Sequence, residues 1–120
     1  MSTTRIWLAA QAGLFAGAAL MHRGVFGAQH IHSRAATAES VIAGLLLLGL
    51  LGIIVVPLRT AVIALVVQVL AGIGTCIGIV MVAIGIGPHT PLDIALHAAM
   101  LVLIIAGIIH TRRRMTSRQA

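Results

Sequence analysis

The sequence predicts an all-α integral membrane protein, a four-helix up-down bundle with both termini cytoplasmic. Three observations predict it. Hydrophobic residues make up 60% of the 120 residues, and the mean hydropathy of +1.14 lies far outside the range of soluble domains. The apolar residues fall into four long runs, and the arginines gather at alternate ends of those runs. Because a chain of 12.4 kDa cannot bury so much apolar surface within itself, lipid is expected to be its solvent.

Each apolar run is long enough to cross the bilayer as a helix once tolerant flanking residues are added, since a crossing needs about 20 residues. The alternating pattern of a barrel strand is absent from all four runs. We therefore predict one domain over residues 1–120, with spans at approximately 5–22, 37–58, 61–86 and 91–110.

The connections between the spans have their own signals. Residues 33–39 have a helix-favouring composition, which predicts that the second helix begins outside the hydrocarbon. Pro57 starts a tight turn between the second and third spans, and Pro91 suits the first turn of the fourth. Glycines and alanines recur within the spans, Gly13 and Gly17 among them, and predict close helix packing within one bundle, between two copies, or both.

The arginines set the direction of the bundle. The inner group is Arg5, Arg59, Arg112, Arg113, Arg114 and Arg118, and the outer group is Arg23 and Arg34. The positive-inside rule then places both termini in the cytoplasm. We therefore expect a multi-pass protein of a bacterial inner membrane. These basic residues stand at segment ends without accompanying aromatic residues, so the net charge of +6 does not indicate nucleic-acid binding.

The two carboxylates, Glu39 and Asp93, both open apolar runs beside histidines. Counted from the inner ends at about 1.5 Å per residue, both lie near the outer edge of the hydrocarbon. His22 ends the first span at a similar height, and His97 lies one turn deeper than Asp93 on the same helix face. We predict that these four residues are neighbours at the outer rim. The acids also fit a plain helix-capping role, and Asp93 with His97 also fits a satisfied structural pair.

The other polar residues are interpreted structurally. Gln11, Gln68 and Thr75 lie within spans, so they are expected to point into the bundle and bond between helices. His30, His32 and His89 are interpreted as loop side chains in water.

The two halves of the chain echo one another weakly. Gln11 begins Gln-Ala-Gly-Leu-Phe-Ala-Gly and is followed by His32, while Gln68 begins Gln-Val-Leu-Ala-Gly and is followed by Ala95-Leu-His97. This layout resembles the four-helix halves of haem A synthases, and also uncharacterised four-helix bacterial membrane proteins with a Gln…His…Gln…Leu-His pattern. The resemblance implies a haem ligand at His97, with a looser echo at His32.

The first functional hypothesis is therefore a protein that binds haem b for electron transfer or haem handling. His97 would supply one ligand and His22 or His32 the other, since two imidazoles from facing helices can hold a haem iron. Arg23 and Arg34 would pair with the propionates.

Two alternatives stay open. A divalent metal ion could be held by imidazole and carboxylate groups, and the candidate ligands are His22, Glu39, Asp93 and His97. The chain could instead be a non-catalytic accessory subunit, associating with itself or with a larger membrane complex.

Transport ranks last, because the first span lacks an acidic residue. No nucleophile–base pair or phosphate loop supports hydrolysis or group transfer.

Overall fold

The computed structural model describes residues 2–117, and this part of the chain is all-helical without a strand. Its four long helices are α1 (Thr3–His22), α2 (Ser33–Val55), α3 (Thr60–Ala83) and α4 (Pro91–Ser117). Short 3₁₀ helices at Ala28–His30 and Pro57–Arg59 lie in two of the connections. Arg118, which the sequence assigns to the inner group of arginines, lies outside the described residues.

Four helix ends differ from the predicted spans by three or more residues. α2 ends at Val55, shortly before Pro57, and α3 ends at Ala83, before Gly85 with its positive φ of 78°. α2 begins at Ser33 because the Nδ1 atom of His32 accepts a hydrogen bond from the backbone N–H of Ala35, at 3.2 Å, and so caps the helix. This start agrees with the helix-favouring composition of residues 33–39. α4 continues to Ser117, past the predicted end at residue 110, because no Gly or Pro interrupts it there.

The helices form an up-down bundle. Each helix packs against the next one in the chain, and α1 packs against α4 to close the ring, while α1 and α3 touch only slightly across the diagonal. Arg114 donates a hydrogen bond to the hydroxyl of Thr3 at 3.3 Å, so the start of α1 and the end of α4 lie together. We call this the inner end of the bundle, and the opposite end, where α1 stops at His22 and α4 starts at Pro91, the outer end.

The apolar side chains divide between a core and a broad outward surface. Leu8, Phe15, Leu46, Met100 and Ile104 are almost completely buried along the bundle axis. Many other large apolar side chains face outward instead, and this apolar surface is compatible with contact with a lipid bilayer. Three helical segments are long and apolar enough to cross a membrane, namely Ser33–Val55, Pro57–Ala83 and Pro91–Ser117. α1 is not among the three, since its Thr, Arg, Gln and Gly residues make it less apolar.

A ladder of buried polar groups joins three helices in the inner half of the bundle. The amide of Gln11 donates to the backbone carbonyl of Leu103 at 3.0 Å, and the amide of Gln68 donates to the side-chain oxygen of Gln11 at 3.3 Å. The hydroxyl of Thr111 donates to the side-chain oxygen of Gln68 at 3.2 Å. Gly107 lies directly against both amides, and a Cβ there would stand 2.7 Å from Nε2 of Gln68. The prediction of bonds between helices is confirmed for Gln11 and Gln68. It is wrong for Thr75, which is buried as expected but donates to the backbone carbonyl of Ala71 within its own helix.

Candidate functional site

His22 joins three helices at the outer end of the bundle. Its Nδ1 atom lies 2.7 Å from Oε2 of Glu39 on α2, and its Nε2 atom lies 3.0 Å from Oδ1 of Asp93 on α4. The His22 side chain is only 1% exposed, so these contacts are shielded from solvent. The structure thus brings together three of the four residues that the sequence places at the outer rim, and we call them the rim cluster.

The geometry of the rim cluster sets the smallest number of protons that it can hold. Each contact pairs a ring nitrogen with a carboxylate oxygen, and a hydrogen bond there needs one proton. Two bonds therefore need two protons, held either by an imidazolium between two carboxylates or by a neutral imidazole with one protonated acid. Both arrangements carry one net negative charge. A single negative charge shared over three bonded groups is far cheaper to bury than two separate carboxylates.

Asp93 has a second role at the start of α4. Its Oδ2 atom accepts hydrogen bonds from the backbone N–H and the hydroxyl of Thr90, at 2.8 and 2.6 Å, and its own N–H donates to that hydroxyl at 3.3 Å. This is the reciprocal arrangement of a capping box. The capping role considered for Asp93 is therefore present, and it coexists with the bond to His22. Glu39 lies in the second turn of α2, past the cap at His32, and its Oε2 atom bonds to His22.

His97 lies one turn below Asp93 and is half-buried. Its Nδ1 atom is 2.8 Å from the backbone carbonyl oxygen of Asp93. Because a carbonyl oxygen only accepts, Nδ1 must carry the proton, and the neutral ring then has its lone pair on Nε2. That edge of the ring lies against Gly78 of α3, where a Cβ would come within 3.1 Å of Nε2. Within residues 2–117, Nε2 has no hydrogen-bond partner, yet it is not enclosed.

An apolar cleft of about 220 Å³ opens beside the rim cluster, between the outer halves of α2 and α3. Small residues create it, with Ala35 and Ala38 on α2 facing Gly74 and Gly78 on α3. The remaining apolar lining consists of Phe15, Ile42, Ile77, Met81, Ile86, Gly87, Pro88 and Met100. We call this space the outer cleft.

Most polar residues on the outer cleft come from the predicted site. His97 and Glu39 both line the cleft, and so do His32 and Arg34 near the start of α2. Thr75 of α3 also lines it, and its hydroxyl donates to the backbone carbonyl of Ala71 at 2.8 Å. Glu39 belongs to the cleft and to the rim cluster at once: Oε2 bonds to His22, while Oε1 makes no hydrogen bond to any described residue and is not sealed off. The mostly hydrocarbon wall of the cleft therefore includes one carboxylate and one imidazole, each with an atom that makes no hydrogen bond to a described residue.

Other predicted site residues lie elsewhere. The guanidinium of Arg23 donates to the hydroxyl of Ser40 at 2.9 Å, on the surface, and Arg23 does not line the cleft. His89 is exposed in the loop before α4, where Nδ1 lies 3.2 Å from the carbonyl oxygen of Gly87. His30 lies in the 3₁₀ turn after α1. The interpretation as a loop side chain in water is confirmed for His89 only. His30 is half-buried, with its Nδ1 atom enclosed and without a hydrogen-bond partner among the described residues, and half-buried His32 caps α2.

The residues at the outer end do not suit a haem. Both ring nitrogens of His22 are bonded to carboxylates, which leaves this residue no free atom for an iron. Nε2 of His97 makes no hydrogen bond. The ring proton lies on Nδ1, so Nε2 has the free lone pair that a metal ligand requires. However, the cleft of about 220 Å³ is smaller than the roughly 300–1,000 Å³ of pockets that hold drug-sized ligands. A porphyrin does not fit the cleft as the structure describes it.

The arrangement of the rim residues does not suit a divalent metal ion either. Across residues 2–117, no group of three or more His, Cys, Asp or Glu side chains has the spacing to hold a metal ion. In the rim cluster the imidazole lies between the two carboxylates, so its nitrogens bond to them instead of pointing at a common centre.

Comparison with protein-family models gives no match. The searches of curated proteins and of solved structures likewise find no similar chain.

Two residues of the site were missed by the sequence reasoning. Thr90 binds Asp93 and fixes its orientation, and the spacing Thr90-Pro-Leu-Asp93 is a capping-box signal that could have revealed it. Gly78 makes room for the His97 ring. No local signal singles it out from the other glycines of α3, because its role depends on the packing of α4.

Proposed function

We propose that this chain is a four-span protein of the bacterial cytoplasmic membrane, with both termini inside, whose outer cleft binds a small amphipathic molecule. The apolar outward surface and the three long apolar helices support insertion into lipid. The inner end carries Arg5 and the arginines of α4, and this excess of positive charge supports a cytoplasmic location for that end.

One observation carries the binding proposal. His97 and Glu39 both line a small apolar cleft, and neither Nε2 of His97 nor Oε1 of Glu39 makes a hydrogen bond to a described residue. Ligand sites are typically apolar spaces with a few well-placed polar groups. A polar group inside a membrane is also costly, so two unused acceptors in an apolar wall favour a functional role over a purely structural one.

The rim cluster prepares Glu39 for this role. Because His22 holds Oε2 of Glu39 at 2.7 Å, and Asp93 holds the other side of the His22 ring, the carboxylate is fixed before any ligand arrives. Binding then costs little side-chain ordering, which is the advantage of a preorganised site.

Native mass spectrometry of the protein in lipid nanodiscs tests the proposal. We expect the wild-type chain to retain one small molecule. Ala38→Leu, which fills the cleft mouth, should lose it, while Ala98→Leu, an exposed position of α4 outside the cleft lining, should keep it. A wild-type chain without an adduct, or an adduct equally present in Ala38→Leu, would overturn the proposal.

The same preparation tests the hypotheses of haem b and of a divalent metal ion. A Soret band lost in His97→Ala would favour haem, and a stoichiometric metal content lost in the same variant would favour the metal reading. Either result would replace the amphipathic ligand proposed here.

A further inference from the structure

We infer that the ligand of the outer cleft is a single aromatic ring with a hydroxyl group, such as a phenol or the headgroup of a membrane hydroquinone. This inference rests on the proposed binding function and adds the chemical class of the ligand. Three features of the cleft carry it: its volume, its apolar lining, and the distribution of donors and acceptors along it.

The volume selects a guest of about one ring. An apolar protein cavity of about 150 Å³ holds a benzene molecule, so a cleft of about 220 Å³ has room for one substituted ring. The lining also suits an aromatic guest. Phe15, Met81 and Met100 all line the cleft, and thioether sulfur atoms make favourable contacts with aromatic rings.

His97 and Glu39 favour a ligand that donates a hydrogen bond. Nε2 of His97 is an acceptor because Nδ1 already carries the proton that bonds to the Asp93 carbonyl. Oε1 of Glu39 is the free oxygen of a carboxyl group whose other oxygen bonds to His22. A ligand hydroxyl can donate to either atom. An ether or ketone at the same place has only acceptor oxygens, so it could form no hydrogen bond with Nε2 or Oε1.

The groups near the start of α2 select an acceptor at the other end of the guest. Nδ1 of His32 accepts from the N–H of Ala35, so in the neutral ring Nε2 carries the proton and can donate. The exposed guanidinium of Arg34, which also lines the cleft, is a second donor. A ring with oxygen at opposite positions, as in a hydroquinone, can bond to both sets of groups.

The experiment compares three matched probes, 4-pentylphenol, 4-pentylanisole and 4-pentylcyclohexanol. The first two differ only in the hydroxyl proton and its methyl replacement, and the third keeps the hydroxyl but lacks the aromatic ring. Binding to the wild-type protein in nanodiscs is followed through the methyl NMR signals of Met81 and Met100, which report from the cleft itself.

We expect the phenol to bind at least tenfold more tightly than either of the other two probes. Ala38→Leu should abolish phenol binding, and Ala98→Leu should leave it unchanged. His97→Phe keeps a ring of similar size beside Gly78 but removes the acceptor, so it should reduce the preference of the phenol over the anisole at least threefold.

The outcomes separate the two proposals. If all three probes bind equally and Ala38→Leu abolishes binding of each, the cleft is a binding site but the phenol class is wrong. If the phenol and the cyclohexanol bind equally and the anisole does not, the hydroxyl is required but the aromatic ring is not, which also overturns the inference. If no probe shifts the two methionine signals while the nanodisc protein retains its own adduct, the inference fails and the proposed function stands.

Discussion

His22 and Asp93 are 71 positions apart in the chain, yet Nε2 of His22 lies 3.0 Å from Oδ1 of Asp93 at the outer end of the bundle. Because the same ring also bonds to Glu39, one imidazole links α1, α2 and α4. The rim cluster is therefore a structural joint between three helices, and its Glu39 also lines the outer cleft.

Replacing His22 should destabilise the bundle strongly. His22→Leu removes the shared imidazole and leaves Glu39 and Asp93 as buried acids without their common partner. Breaking such a buried arrangement costs about 3–5 kcal/mol. We expect a loss of this size in the free energy of unfolding, measured by denaturant titration in mixed micelles.

His89→Ala is the matched control for this change, because His89 is exposed and bonds only to a nearby backbone carbonyl. Its unfolding free energy should stay within about 0.5 kcal/mol of the wild type. If His22→Leu were as stable as His89→Ala, the rim cluster would not hold the helices together.

Gly107→Ala should disturb the polar ladder of the inner half. The added Cβ would press on the amides of Gln11 and Gln68, and overpacking of this kind costs about 1–3 kcal/mol. The comparison is with Gly13→Ala, where nothing lies within 4 Å of the new Cβ and where alanine favours the helix. Thermal unfolding should lower the midpoint for Gly107→Ala only. Equal midpoints for the two variants would contradict the described packing of α4.

Thr111→Val tests a single bond of the ladder. Valine keeps the shape of threonine but removes the hydroxyl that donates to Gln68, so the Gln68 oxygen loses its partner. Hydrogen bonds between membrane helices contribute about 0.6 kcal/mol on average, and about 1.7 at most. We expect a loss of about 1 kcal/mol in the same denaturant titration. Thr116→Val, which affects an exposed hydroxyl bonded within its own helix, should change the unfolding free energy by less than half as much.

The direction of the bundle can be tested by labelling single cysteines in intact cells. In a Cys76→Ser background, a membrane-impermeant maleimide should label His89→Cys from outside, whereas Ser117→Cys should react only after the cells are permeabilised. Both positions are exposed. His89 lies in the loop just before α4, and Ser117 is the last residue of α4, at the opposite end of that helix. Reaction of Ser117→Cys in intact cells would reverse the proposed orientation.

The sequence predicts the bundle well because its signals are local and strong. The apolar runs, Pro57 and Pro91 mark the helices and turns, and short connections leave adjacent helices antiparallel. The scarcity of polar residues also made the outer rim predictable. With only two carboxylates in the chain, helix rise alone placed Glu39 and Asp93 at the same height as His22.

The sequence did not reveal how the rim residues pair. Spacing put Asp93 and His97 on one face, but the Asp93 side chain turns to His22 and Thr90, and His97 bonds to the Asp93 backbone instead. Such choices depend on helix rotation about the bundle axis, which hydropathy does not encode. The outer cleft was likewise hidden, because it arises from small residues that meet only after α2 and α3 pack together.

The protonation of the His97 ring tests the central claim most directly. We predict that ¹⁵N NMR of His97 in nanodiscs will show a protonated Nδ1 and an unprotonated Nε2, and that 4-pentylphenol will shift the Nε2 signal while 4-pentylanisole will not. Two results would contradict the account of His97 as the free acceptor of the outer cleft. One is a ring protonated at Nε2 and unprotonated at Nδ1, and the other is an Nε2 signal that neither probe shifts.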